Sequence, residues 1–319
     1  MSPSVHSGPM PAPATATPDE IRDVNTRYHD GAAGGYDAKW GIDYGEVGRR
    51  QVLLKLRKAL GDPIPAFGRS LEIGAGTGYF SLNLLQAGVV SEAVCTDISP
   101  GMLRALEDNA HRLGLAVETA ACDAEALPFG DASFDLVLGH AVLHHLPGLD
   151  RAFGEFHRVL RPGGTVLFAG EPSRHGDRLA AVPKRAAAKV APLWRAVMRA
   201  GPARDGHSDG GAENHLLEGL VDVHAFTPDT LAAAARGAGF ADVRIRGEEL
   251  LANWFGWANR ALEATANPDE VPWAWKVYAF RGYLALQEVD RRLLEPHLPA
   301  AIFYNLMLAG RRPAERAGR

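Results

Sequence analysis

His140, His144 and His145 crowd the stretch GHAVLHHL, and Glu171 closes a later apolar run. Imidazoles and carboxylates move protons near neutral pH, so this set can supply a general base to a hydroxyl or an acidic carbon. His144, His145 and Glu171 are the candidates for that role, and a structural part for the histidine pair is the plain alternative. No metal centre is expected, because the chain has no His-Glu-x-x-His string and no Cys-His pairing. A second chemical feature is LEIGAGTGYF, which places Gly74, Gly76 and Gly78 where a strand turns into a helix. Glycines there accept positive φ and let the backbone approach a ligand closely. The dinucleotide spacing GxGxxG needs glycine at 79, where this chain has Tyr79. None of the seven tyrosines has lysine four residues on, and there is no GxxxxGK[ST] loop. These absences disfavour a nicotinamide-dependent oxidoreductase and a nucleotide triphosphatase.

The elements that must position these residues follow from the apolar pattern. Runs at 70–74, 92–97, 117–123, 134–140 and 165–171 alternate with helical segments punctuated by Gly88, Ser99-Pro100 and Arg161-Pro162-Gly163-Gly164. That alternation predicts a parallel sheet with helices on both faces, which binds ligands at the carboxyl ends of its strands. Thr17-Pro18-Asp19-Glu20 carries a capping box, and a helix over about 46–60 ends at Gly61. Thr227-Pro228-Asp229 starts a helix ending near Gly239, with strands at about 241–246 and 303–310 after it.

Glu-x-Gly-x-Gly-x-Gly at 72–78 resembles the first motif of the class I S-adenosylmethionine-dependent methyltransferases, and the resemblance continues in register. TDISPGML (96–103), CDAEALPF (122–129), FDLVLGHAVLHHL (134–146) and LRPGGTVLF (160–168) follow in the family's order. The resemblance implies S-adenosylmethionine as cofactor. Asp97 would take the ribose hydroxyls, Ile98 would pack on adenine, and Asp123 with the Ala124 N–H would meet the adenine edge. Glu72 would orient the ammonium directly or through water, and His140 would border the same site. Tyr28, Tyr36 and Trp40 lie in a segment similar to the family's N-terminal lid, able to close over the sulfonium. The implied fold is Rossmann-like α/β: a seven-stranded, mostly parallel sheet with an antiparallel last strand, an N-terminal helical lid and a C-terminal helical cap.

The organisation expected is a disordered tail (1–16), helical lid (17–61), cofactor-binding core (62–173), basic lid insertion (174–225), core helix and strand (226–247), Trp-rich helical cap (248–302), and last strand with tail (303–319). Residues 174–205 hold eight Lys/Arg against two aspartates. Within them Val190, Leu193, Trp194, Val197 and Met198 fall on one helical face, with Lys189, Arg195 and Arg199 on the other. Such a helix is either a lid with a solvated basic face or a peripheral membrane contact through 178–200. Trp254, Trp257, Trp273 and Trp275 either build the cap's own core or wall a pocket for a bulky apolar acceptor.

With 34 basic and 38 acidic residues the net charge is −4, and the basic stretch lacks a recognition module, so nucleic acid is not an expected partner. Two cysteines and the lack of a long apolar run point to a cytoplasmic protein with no transmembrane segment. The activity implied is methylation of a small hydrophobic metabolite, on oxygen first and on carbon or nitrogen as the alternative. A nicotinamide-dependent oxidoreductase and a non-catalytic cofactor-binding regulator stand as readings from other classes. Oligomeric state is not legible.

Overall fold

In the computed structural model, which describes residues 17–37, 41–203 and 222–314, Thr17 caps the first helix as its sequence dictates. The Glu20 N–H donates to Thr17 Oγ1 while the Thr17 N–H donates to the Glu20 carboxylate. This helix, α1 (Pro18–Ala32), is followed by α2 (Glu46–Leu60), whose terminal Gly61 takes φ +99°. The core then alternates: β1 (Phe67–Ile73), α3 (Tyr79–Gln86), β2 (Val90–Asp97), α4 (Pro100–Leu113), β3 (Glu118–Ala121), β4 (Phe134–His140), α5 (Leu149–Val159) and β5 (Leu160–Pro172). After α6 (Arg174–Met198) come α7 (Pro228–Gly237) and β6 (Ala241–Glu248). Helices α8 (Leu251–Glu263) and α9 (Trp273–Val289) precede β7 (Asn305–Arg311).

The strands form one sheet in the order β3-β2-β1-β4-β5-β7-β6. β1, β2, β3, β4 and β5 run parallel, and β7 lies antiparallel between β5 and β6. Burial alternates with the pleat. Leu136 and Leu138 of β4, Leu167 and Ala169 of β5, and Met307 and Ala309 of β7 face Val52, Leu56 and Phe80. Their neighbours Val137, Val166, Phe168, Leu306 and Leu308 face Phe153, Phe156 and Leu231 on the opposite side. Because β1 lies between β2 and β4, the chain reverses its winding there. Open α/β sheets place their ligand crevice at that point.

The faces of α6 are divided differently from the sequence expectation. Its buried side consists of small residues, Gly176, Ala180, Ala187 and Ala191, together with Trp194, with Met198 partly buried. Val190, Leu193 and Val197, expected to share that side, point to solvent. Alanines let α6 approach α8 closely, so the larger aliphatics are not what packs. The expected 1–16 tail and most of the 174–225 insertion beyond α6 lie outside the described residues. Among the described residues, no helix is long and apolar enough to cross a membrane.

Candidate active site

At the carboxyl end of β1, Gly74 and Gly76 take φ +60° and +52°. A Cβ on Gly74 would lie 2.3 Å from Val142 Cγ2, so only glycine fits between the turn and the β4 connection. Gly78 (φ +94°) serves packing instead: its Cβ would meet Leu106 and Leu82 at 2.9 Å, and it does not border the cleft described below. Glu72 is also set back. Its carboxylate is buried, accepts the Ser81 N–H at 2.9 Å and so ties strand to helix, and it does not border the cleft. Burial, opposed by the Ser81 hydrogen bonds, pushes its pKa up to about 7.

Asp97 ends β2. One oxygen accepts the Gly76 N–H at 2.9 Å and the other the Ser99 N–H at 2.9 Å, so the carboxylate ties two turns together. Burial raises its pKa, while nearby His29 and these N–H groups pull the other way. Asp123 accepts the Glu125 N–H at 2.9 Å, and its second oxygen lies 2.7 Å from Arg22 of α1. Arg22 also reaches Glu125 at 3.0 Å. Farther along α1, Asp30 accepts from Ser99 Oγ (2.5 Å) and the Gly101 N–H (2.7 Å), a carboxylate laid on the first turn of α4. These contacts hold α1 across the ends of β2 and β3.

The resulting cleft, about 740 Å³ of open space, lies at the carboxyl ends of β1, β2 and β4. Of the residues singled out from sequence, Tyr36, Gly74, Gly76, Asp97, Ile98, Asp123, Ala124, His140 and His145 border it. Tyr28 is buried edge-on against His29 and off the cleft wall, and Trp40 lies outside the described residues. Sequence reasoning missed Arg22, Asn25 and His29, which also border it. Their spacing of three and four residues on one face of α1 was the available signal. Ile73, Thr96, Cys122, Ala141, Val142, Leu146 and Pro147 complete the wall, whereas none of Trp254, Trp257, Trp273 and Trp275 borders it. Trp275 packs on Trp194 and donates Nε1–H to Glu263 at 3.0 Å, and Trp257 lies against Tyr304 under Lys184. These two therefore belong to the cap's packing.

The three histidines receive different environments. His140 is stacked on Phe80, with ring centroids 5.0 Å apart, and burial pushes its pKa down to about 4. It is therefore a neutral ring bordering the cleft. His144 is buried. Burial alone would lower its pKa, but the hydrogen bond and charge of Glu171, with Asp222 beyond, raise it. Glu171, the other candidate base, does not border the cleft. It is fully buried and accepts from the N–H groups of Val142 and Leu143 (3.0 Å each) and of His144 (3.2 Å), besides lying 2.9 Å from His144 Nδ1. It fixes the turn that carries the histidines.

His145 reaches the cleft. Its Nδ1 is 3.4 Å from Asp222, and its ring stands edge-on to His29 at 5.5 Å, joining this turn to α1. Asp222 also lies 3.6 Å from His144 Nε2, held nearby because the Val223 and His224 N–H groups donate to the His144 carbonyl. Two imidazoles and a carboxylate within 4.8 Å could hold a cation.

The residues present fit an adenosine-bearing sulfonium. A carboxylate stands at the end of β2, aliphatic Ile98 follows it, glycine backbone is open at the turn, and the phenol ring of Tyr36 lies near Gly76. Comparison with known proteins agrees. Residues 71–168 match a family model described as a methyltransferase domain. The chain is 36% identical over 228 residues to malonyl-[acyl-carrier protein] O-methyltransferase of Methylococcus capsulatus, covering 69% of this chain and 72% of that one. It is 41% identical over 98 residues to the ubiquinone/menaquinone biosynthesis C-methyltransferase UbiE of Ralstonia pickettii, 30% of this chain and 40% of that one. Among solved structures it is similar in fold to phosphoethanolamine N-methyltransferase 2 of Haemonchus contortus in complex with S-adenosyl-L-methionine. The TM-score is 0.57 at 17% identity, covering 96% of this chain and 62% of that one.

Proposed function

Since the chain belongs to the class I S-adenosylmethionine-dependent methyltransferase family and is an enzyme that uses this cofactor, we propose that it methylates an oxygen of a small, largely apolar acceptor, with His145 receiving the proton. When bound, S-adenosylmethionine supplies an electrophilic methyl group on a sulfonium. Asp97 would hold its ribose, Ile98 and Ala124 its adenine, and Tyr36 would shield the charged centre. Asp123, already paired with Arg22, would join lid closure to the adenine side.

The observation that carries the oxygen reading is the imidazole of His145 on the cleft wall, with a carboxylate 3.4 Å from its Nδ1. A proton taken up by that ring gains a charge partner in Asp222. Val142, Leu146 and Pro147 give the adjoining wall its apolar character, which suits a hydrophobic acceptor and keeps water from competing. Glu171 and His144 act as positioning residues: they set the turn and leave proton transfer to their neighbour. Carbon methylation of an electron-rich ring is the second reading, favoured by the similarity to the quinone-biosynthesis C-methyltransferase.

The test is steady-state kinetics on hydrophobic hydroxylated and carboxylated acceptors. His145→Ala should lower kcat by roughly 10²- to 10⁴-fold, the usual worth of a general base, with cofactor affinity little changed. Wild-type turnover in that variant would remove His145 from the chemistry. Methyl protons appearing on carbon in the product spectrum would replace the oxygen reading with the second one.

A further inference from the structure

We propose that α6 is a docking surface for an anionic phospholipid bilayer, lying in the plane of the headgroups. Leu179, Val182, Val190, Leu193 and Val197 are 40%, 66%, 52%, 70% and 65% exposed. With exposed Ala186 they recur at intervals of three and four residues and trace one line along the helix. At 1.5 Å per residue that line runs about 27 Å. An aliphatic ridge of this length has no reason to face water, and it runs on through Pro183 and Pro192, which lie within α6 beside it.

The charges choose the occupant. Arg178, Arg185 and Lys189 are exposed and run along one border of the ridge at matching intervals. Asp177 is the only acidic residue of α6, and Lys184 lies 3.5 Å from it. The chain as a whole is acidic, whereas α6 carries six Lys/Arg against one aspartate. A second copy of the helix would bring this basic border against another with no acid to meet it. An anionic lipid surface offers both an apolar layer for the ridge and phosphates for the arginines and lysine. Trp273 adds the residue type enriched at headgroup level. It stands 77% exposed, two residues from Trp275, which packs on Trp194 of α6. α6 leaves β5 at the same carboxyl edge that carries the cleft.

The experiment is co-sedimentation of the full chain with vesicles of phosphatidylcholine alone, or mixed with phosphatidylglycerol, at low and raised salt. The protein should pellet with the mixed vesicles and release as salt rises. L193E/V197E should reduce the bound fraction roughly tenfold or more by placing charge in the apolar layer. R185E/K189E should do the same by reversing the border. S-adenosylhomocysteine affinity, unchanged in both, reports that the variants fold. Wild-type protein that stays in solution with every vesicle overturns the proposal. So does loss confined to R185E/K189E, which would reduce the contact to charge attraction without a seated ridge. A dimer in sedimentation velocity that L193E/V197E abolishes, without vesicle binding, would give the ridge to a second copy.

Discussion

Within the sheet layers Phe134, Phe153, Phe156 and Phe168 are fully buried among aliphatic neighbours. The junction between α2, the end of β6 and the cap is built of charges instead. Lys55 lies 2.8 Å from Glu248 and 3.6 Å from Glu249, and Lys58 bridges Glu248 and Glu295 at 3.3 and 2.8 Å. Tyr283 donates to Glu249 at 2.8 Å, and Asp290 accepts the first N–H groups of α8. α9 has half-buried side chains, Trp275, Tyr283 and Gln287 among them, but no fully buried one. The core is held by shape and apolar burial, which tolerate no voids but are indifferent to pH. The junction with the cap is held by pairing, which is costly to leave half made and depends on protonation.

The largest effects should expose that difference. Phe156→Ala and Lys55→Met should each destabilise the protein by roughly 3–5 kcal/mol, one through a cavity and the other through a buried carboxylate left short of a partner. Their pH dependence should separate them. Burial works against the charge of Glu248, but Lys55 and Lys58 hold its pKa down to about 2. A depressed carboxylate contributes stability above its unfolded value, near 4.5, and loses it as pH falls toward 2. The deficit of Lys55→Met should therefore shrink over that window, while that of Phe156→Ala stays flat. Denaturant titrations at several pH values measure both. Parallel curves would mean that the junction is not electrostatic.

The same contrast governs how much was legible in the sequence. Strands from β1 to β5, the capping residues and the glycine turn could be read because each depends on neighbours within a few positions. The Lys55–Glu248 pair could not, since nothing local ties residues separated by most of the fold. Strand β5 begins at Leu160 rather than 165, because Leu160 already pairs with Phe134 and Arg161–Gly164 then bulge out before the register resumes at Thr165–Leu136. The face of α6 was misread because periodicity finds the large apolar residues, whereas close packing on α8 selects the small ones. In the cleft, motif residues at Asp97, Ile98 and Ala124 were accessible. The part played by Glu171 was not, because a carboxylate at a strand end reads alike whether it caps a turn or faces a substrate.

Two carboxylates at the glycine turn refine the comparison inside the core itself, where charge is retained at a cost. Asp97→Asn should weaken S-adenosylhomocysteine binding by about 1.5–3 kcal/mol, the worth of a hydrogen bond to a charged group. It should also lower the stability of the free protein by about 1–3 kcal/mol, because the amide NH2 that replaces one oxygen faces a buried backbone N–H of Gly76 or Ser99. Calorimetric titration beside thermal unfolding tests both halves, and intact affinity would take Asp97 out of the ribose role. Glu72→Gln keeps an acceptor for Ser81 and removes the charge. A carboxyl whose pKa rises to about 7 on folding loses stability as pH climbs from about 4.5 to about 7 and then levels off. The variant's stability relative to wild type should therefore improve across that window, by on the order of 1–3 kcal/mol. A difference independent of pH would show Glu72 to be uncharged throughout or paired with a cation.

The smallest expected effect bears on the cap's outer surface. Trp194→Ala removes a ring buried between α6 and α9 and should cost about 3–5 kcal/mol. Trp273→Ala removes a ring that stands in solvent and should change stability by no more than about 0.5 kcal/mol. Both residues are tryptophans of one helical unit, so the pair isolates burial from residue type. A cost above about 1 kcal/mol for Trp273→Ala would mean that its ring is covered in the free protein. The exposed faces of α9 and α6 would then be internal surfaces of a larger assembly. A negligible cost leaves the cap with an apolar exterior that folding does not require, and a surface that folding does not require is one that binding can use.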